Sequence, residues 1–290
     1  MYDRRKADQI TYIRYVPSSP LDRYIHHLYY VDGQMPYPRE RILPVPLLNL
    51  KINLGGAFQV YEYHQLERPR DLTESWIVGL QSVYHAVDWP LDMRLYGVRF
   101  KPSGVYPFLG LPLSKLYNQI VALDAIWGSF AYELHDRLSA APSVEEGLAL
   151  LEQLLRARLG EESGEQRLVE YAVAEMDRHH GALSIKTLSD HIGISQNHLR
   201  THFRRIIGTS AKEMARLYRF EHALHSVDPT LPVDWSNIAH SCSYYDQSHF
   251  NKEFMTFTGY TPSDYLKRRR WVYTVNAPVD QYSLRTLPTG

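Results

Sequence analysis

Between Leu47 and Phe100 the chain alternates short apolar and aromatic runs with glycine and proline. The segments LLNLKINLGG (Leu47 to Gly56), FQVYEYH (Phe58 to His64) and MRLYGVRF (Met93 to Phe100) are rich in Val, Ile, Leu, Tyr and Phe, residue types that fit a pleated, half-buried surface. Short strands with frequent turns predict a sandwich or barrel up to about Gly128. From Asp124 the period changes. Ile126, Phe130, Leu134 and Leu138, then Leu148, Leu151, Leu155 and Leu159, fall at three- and four-residue spacings, which predicts a helical extension. Gly160 to Glu165 contains no large apolar residue and two glycines, and reads as a linker. From Gln166 onward the pattern is that of helices separated by short turns.

The helical part contains a near-repeat. Leu188 to Arg219 lies over Ile238 to Arg270: Leu188 matches Ile238, His198 matches His249, Leu199 matches Phe250, Phe203 matches Phe254 and Gly208 matches Gly259. One extra residue sits in the second turn, so the offset moves from 50 to 51. Each copy predicts a short helix, a tight turn and a second helix opened by a cap. Ser184 caps the first helix, Gly193 supplies the permissive turn and Ser195 caps the next helix. In the second copy the turn is Cys242-Ser243-Tyr244 and Asp246 is the cap. Ser189 and Ala239 are small where the paired helices must approach. This is the plan of a helix-turn-helix, whose second helix enters the major groove.

The second helix of the first copy buries a stripe of Leu199, Phe203 and Ile206, leaving Gln196, Asn197, Arg200, Thr201 and Arg204 outside. Its counterpart buries Phe250, Phe254 and Phe257 and leaves Gln247, Ser248, Asn251 and Lys252 outside. Arg and Lys suit guanine edges, and Asn and Gln suit adenine. These nine residues are the candidate DNA-binding set. Arg204, Arg205 and Arg268 to Arg270 suit phosphate or a solvated face equally. Between the copies, Lys212 to Val227 predicts a connecting helix that holds the two units about one DNA turn, roughly 34 Å, apart.

The region from about Gln166 to Arg270 resembles the DNA-binding region of the AraC/XylS family of bacterial transcription regulators. The residues that carry the likeness are ISQNHLRTHFRRIIGTSAKEMARLYRFEHAL and IAHSCSYYDQSHFNKEFMTFTGYTPSDYLKRR, with Ser-His-Phe, Phe-x-x-x-x-Gly and Thr-Pro-x-x-Tyr elements. Two departures are Ser243, where the family usually has glycine, and Trp235, in a helix that normally begins with small or aliphatic residues. Gly97 to Gly128 is similar to a stretch of the family's variable sensory domains. That likeness implies effector binding or dimerisation, commonly on a small β-barrel, and carries over no ligand residue.

Charge changes the picture only locally. The 290-residue chain has 32 Lys and Arg against 32 Asp and Glu, yet Leu183 to Trp271 holds twelve bases and eight acids. The excess lies where nucleic acid is expected. A length of 290 residues exceeds that expected of one domain. The expected organisation is α+β: a mainly β, barrel-like sensory or dimerisation domain with helical extension over 1–160, an all-α double helix-turn-helix domain over 161–275, and a loosely ordered or surface-docked tail over 276–290. No run is long and apolar enough to span a bilayer, and the expected setting is the cytoplasm.

A single cysteine, Cys242, excludes an intrachain disulfide and a cysteine zinc cluster, and reads as a small buried thiol. His26-His27, His64 and His85 lack the spacing of a metal site, and no cofactor is expected. Tyr29, Tyr30, Phe58, Tyr61, Tyr63, Trp76, Trp89 and Tyr96 suit either the wall of an apolar ligand pocket or barrel core. The expected partners are double-stranded DNA, a small-molecule effector, RNA polymerase and a second copy of the chain, without a membrane. Two alternatives stay open: a ligand-independent regulator whose first domain only dimerises, and a barrel enzyme fused to a DNA-binding module.

Overall fold

The computed structural model describes residues 2–7, 10–35, 38–63, 67–268 and 286–288. His64, Arg269 and Arg270, and the tail apart from 286–288, lie outside the described residues.

Twelve strands form two antiparallel sheets among the described residues. They are β1 (Tyr2–Ala7), β2 (Ile10–Tyr15), β3 (Ile25–Gly33), β4 (Arg39–Ile42), β5 (Leu48–Asn53), β6 (Phe58–Tyr61), β7 (Arg70–Leu72), β8 (Ser75–Val78), β9 (His85–Asp88), β10 (Met93–Phe100), β11 (Ile120–Ala122) and β12 (Thr286–Pro288). The larger sheet runs β1-β2-β3-β10-β5-β8-β11, and the smaller β12-β4-β9-β6-β7. β12 comes from the tail and pairs antiparallel with β4.

Alternation along the strands decides what faces what. On the larger sheet, Ile13, Leu28, Tyr30, Leu48, Leu50, Ile52, Tyr96, Val98 and Phe100 form one core with Leu134, Leu138, Leu148, Leu151 and Leu155. Those leucines belong to the helical extension, α3 (Ser129–Ser139) and α4 (Val144–Arg158), which follows two single-turn helices, α1 (Tyr106–Leu109) and α2 (Asp124–Trp127). The opposite face supplies Tyr29, Trp76, Val78, Met93 and Leu95 to a second core, shared with Phe58, Val60 and Val87 of the smaller sheet. That second core is the interior of the barrel. The eight aromatics therefore divide: Tyr29, Phe58, Trp76 and Trp89 meet inside, whereas Tyr30 and Tyr96 lie under the helices. Tyr61 bonds Asp88, and Tyr63 is an exposed ring edge-on to Tyr84.

The expected linker is shorter than six residues. Ser163 accepts a hydrogen bond from the Gln166 amide and opens α5 (Gly164–Arg178), so Glu165 is already helical. Then follow α6 (Ile185–Ile192), α7 (Gln196–Ile206), α8 (Ala211–His225), α9 (Trp235–Ser241), α10 (Gln247–Thr258) and α11 (residues 262–268). Among the described residues no helix is long and apolar enough to cross a membrane.

The core of the helical region reaches beyond it. Leu43, Leu80 and Tyr84, all from the β region, are buried with Val169, Leu217, Phe254 and Tyr265 in one cluster. Polar contacts reinforce the junction. Arg41 on β4 lies between the rings of Tyr84 and Tyr260, 4.0 and 4.1 Å from their centroids, and donates to the Thr258 carbonyl at 2.9 Å. Gly259 closes α10 with φ +70°, and a side chain there would meet Tyr84 and Arg41 at 2.5 and 2.7 Å. Glycine is required on both counts. A 430 Å³ cleft beside this junction sets Arg23, His26 and Lys101 of the β region opposite Glu170, Asp177 and Glu221 of α5 and α8.

Candidate nucleic-acid interface

Each helix-turn-helix is built by local chemistry. The Ser184 and Ser195 hydroxyls accept from the amides of Thr187 and His198, at 3.0 and 3.2 Å, opening α6 and α7. Gly193 takes the left-handed conformation between them, at φ +78°. In the second unit, Asp234 caps α9 by accepting from Ser236 and Asn237, and Asp246 caps α10 by accepting from His249 at 2.7 Å. Each cap satisfies amides that no intrahelical carbonyl reaches.

The two departures from the family pattern have structural counterparts. Ser243 sits at φ +60°, the conformation glycine takes most readily, so the turn is made with a strained serine. Trp235 is the first residue of α9 and lies against Phe250 and Phe254, at 6.0 and 5.9 Å between ring centroids. It roofs the second unit's core.

The predicted stripes are buried. Leu199, Phe203, Ile206, Phe250, Phe254 and Phe257 have no measurable exposure, and Ser189 and Ala239 are buried where the paired helices meet. The opposite faces carry the candidates. Gln196, Asn197, Arg200, Thr201 and Arg204 on α7 are all exposed, as are Gln247, Ser248, Asn251 and Lys252 on α10. Arg200 is held in place by Asn197, whose side-chain oxygen accepts from its guanidinium at 2.6 Å. Thr201 donates back to the Asn197 carbonyl at 3.0 Å. A 250 Å³ concavity joins Gln196, Asn197 and Arg200 to Ser210 and Lys212 at the start of α8. Lys212, one of the twelve bases of the local excess, is exposed there.

Not every base of the local excess faces solvent alone. Arg216 on α8 bonds Glu253 at 2.8 Å and Glu213 at 2.8 and 2.9 Å, tying the connecting helix to α10. Burial alone would lower its pKa, and the two carboxylates raise it instead. Arg205 is exposed and also makes contacts within the chain: it donates to the Tyr106 hydroxyl at 2.7 Å and to Glu165 at 2.9 Å, joining α7 to α1 and α5. Arg268 lies over Tyr260 at 4.6 Å. Cys242 is buried, and burial pushes its thiol pKa up. His249 is edge-on to Tyr244, with Nε2 3.9 Å from Glu253.

Sequence reading missed Arg41, Tyr84 and Tyr260. Arg41 and Thr258 are 217 residues apart, and an arginine in a short strand carries no local sign of such a partner.

A family described as a helix-turn-helix domain matches residues 188–268, spanning both units and the connecting helix. A second, described as a domain of unknown function (DUF6597), matches residues 13–122. No curated protein matches the chain. Among solved structures, ToxT from Vibrio cholerae is similar at 9% identity and TM-score 0.44, over 83% of this chain and 95% of that one. A probable AraC family transcriptional regulator from Rhodopseudomonas palustris is 27% identical, with TM-score 0.30, over 34% of this chain and 96% of its own. Ectoine synthase from P. lautus is 10% identical, with TM-score 0.27, over 34% and 68%. With two capped helix-turn-helix units on one connecting helix inside the matched region, residues 188–268 form an AraC-type helix-turn-helix domain and the chain is a DNA-binding transcription regulator.

Proposed function

We propose that α7 and α10 are the reading helices, with Gln196, Asn197, Arg200 and Thr201 on the first and Gln247, Ser248, Asn251 and Lys252 on the second addressing base edges. Arg204 addresses a phosphate. The observation that supports this most is the repetition of one arrangement: a capped helix, a buried stripe and an exposed polar face near the helix start, at positions offset by 51. Side chains near the start of such a helix are the ones that reach the groove floor. The Arg200 fork suits guanine O6 and N7, and Asn197 releases it at the cost of one exposed hydrogen bond.

Residues 161–275 carry DNA recognition in this reading, and residues 1–160 carry sensing or self-association. An effector binds between the two sheets and favours one arrangement of β and helical regions. A second copy of the chain and RNA polymerase are the protein partners, and the setting is the cytoplasm. We assign the chain no catalytic role.

Salt dependence separates the roles. Binding of a selected duplex is followed by fluorescence anisotropy across a salt series, for wild type and Arg204→Ala. Loss of one phosphate contact lowers the slope of log affinity against log salt by about 1 without changing base preference. An unchanged slope contradicts the phosphate role of Arg204.

A further inference from the structure

Lys51 is a cation enclosed within the barrel. It projects from β5 toward the barrel interior, deeply enclosed yet with part of its side chain uncovered. Its ammonium lies 5.8, 5.8 and 5.6 Å from the ring centroids of Phe58, Trp76 and Trp89. Among the described residues it makes no hydrogen bond or salt bridge. Three rings offset part of the cost of removing an ammonium from water, but none accepts its protons as an anion would. Burial pushes its pKa down to about 8, with Arg99 acting the same way and Glu40 opposing.

Two neutral polar groups share this interior without partners. The His85 Nδ1 and Trp89 Nε1 atoms are buried and have no hydrogen-bond partner, and both side chains stand on the inward parity of β9 and its extension. Lys51 helps hold His85 neutral, with a pKa of about 3 set first by burial. Arg99, inward on β10, is already bonded to Asn49 at 3.2 Å.

We propose that the barrel interior binds a small organic monoanion, a carboxylate with an apolar body, whose charge pairs with Lys51 while Phe58, Trp76 and Trp89 enclose the rest. This deepens the effector reading above and rests on it for its regulatory meaning. One uncommitted ammonium matches one negative charge, and the nearby Glu40 disfavours a second. The Trp89 N–H donates to the carboxylate, and neutral His85 donates when its proton is on Nδ1. A cation is repelled by Lys51, and a polyanion exceeds the charge available.

The site also has a route to the DNA-binding region. Glu40 is buried on the inward side of β4, and the next residue, Arg41, points outward to Thr258 at the end of α10. A carboxylate that takes Lys51 acts on Glu40, and through β4 on the second unit.

The test uses the full chain without DNA, so its outcome is independent of DNA recognition. Thermal unfolding is followed with benzoate, phenylacetate and hexanoate, each beside its neutral amide. At least one acid raises Tm by roughly 3 °C or more when well above its Kd, its amide does not, and Lys51→Arg keeps the preference while Lys51→Met loses it. Equal shifts from acid and amide, no shift from any acid, or a preference that survives in Lys51→Met overturns the proposal. If Lys51→Met gives no cooperative transition, Glu40→Gln decides. Removing the opposing carboxylate tightens acid binding, and unchanged or weaker binding overturns the assignment.

Discussion

The guanidinium of Arg41 donates to the backbone carbonyl of Thr258 at 2.9 Å, joining a strand of the barrel to the last residue of α10. Tyr84 holds Arg41 from the barrel side and Tyr260 from the helical side. The second helix-turn-helix is thus packed on the β region as well as on the first unit.

Arg41→Ala removes two ring contacts and one hydrogen bond, and leaves the Thr258 carbonyl without that donor. The sum predicts a loss of about 2 kcal/mol in urea unfolding. Arg41→Lys recovers only part, because a point charge cannot span both rings as a planar fork does. Stability equal to wild type in Arg41→Ala contradicts the coupling.

Phe254 holds the second unit together, with ring centroids of Phe250, Phe220 and Tyr265 at 5.4, 5.6 and 5.2 Å. Phe254→Ala costs about 3 to 5 kcal/mol, whereas the exposed Lys252→Ala stays within about 0.5 kcal/mol. Chemical denaturation of both variants checks the contrast.

Helix boundaries, caps and buried stripes were legible because they depend on residues three or four apart. Ser184, Ser195 and Asp246 announce helix starts by their own chemistry, and Leu199, Phe203 and Ile206 declare a face by spacing alone. Strand direction was less legible. MRLYGVRF matches β10 residue for residue, but both of its faces are buried, Tyr96 beneath the helices and Leu95 in the barrel, so apolar alternation could not sort the aromatics into core and pocket. The contacts of Arg41 and Arg205 were not legible at all. They join segments 217 and 99 residues apart, and each arginine reads as a surface charge until the regions are docked.

Ser243 occupies a left-handed position at φ +60° that costs an L-residue roughly 1 kcal/mol. Ser243→Gly relieves this and is offset in part by the greater freedom of the unfolded chain. A gain of about 0.5 kcal/mol in unfolding free energy is expected. A loss means that the serine side chain stabilises the turn by more than the strain costs.

Glu152 on α4 accepts hydrogen bonds from the Ser18 amide and hydroxyl at 3.1 and 2.6 Å, from Arg156 at 2.9 Å, and from the Tyr15 hydroxyl. Burial alone would raise its pKa, but these donors hold it below the ordinary carboxylate value. A lowered folded-state pKa contributes stability that is complete above the unfolded pKa and lost as pH falls through the folded one. Wild type therefore exceeds Glu152→Gln by roughly 2 kcal/mol at neutral pH, and the difference closes as pH is lowered from the ordinary glutamate range. A difference independent of pH contradicts the charged network.

Selection of bound sequences from a random duplex library, at stated salt, tests the two reading helices most directly when wild type, Arg200→Ala and Lys252→Ala are compared. The expected wild-type result is a bipartite motif. Arg200→Ala relaxes one half and Lys252→Ala the other, each by about 1 to 3 kcal/mol at one position. A motif that neither variant alters, or one that both weaken uniformly at every position, contradicts base reading by α7 and α10.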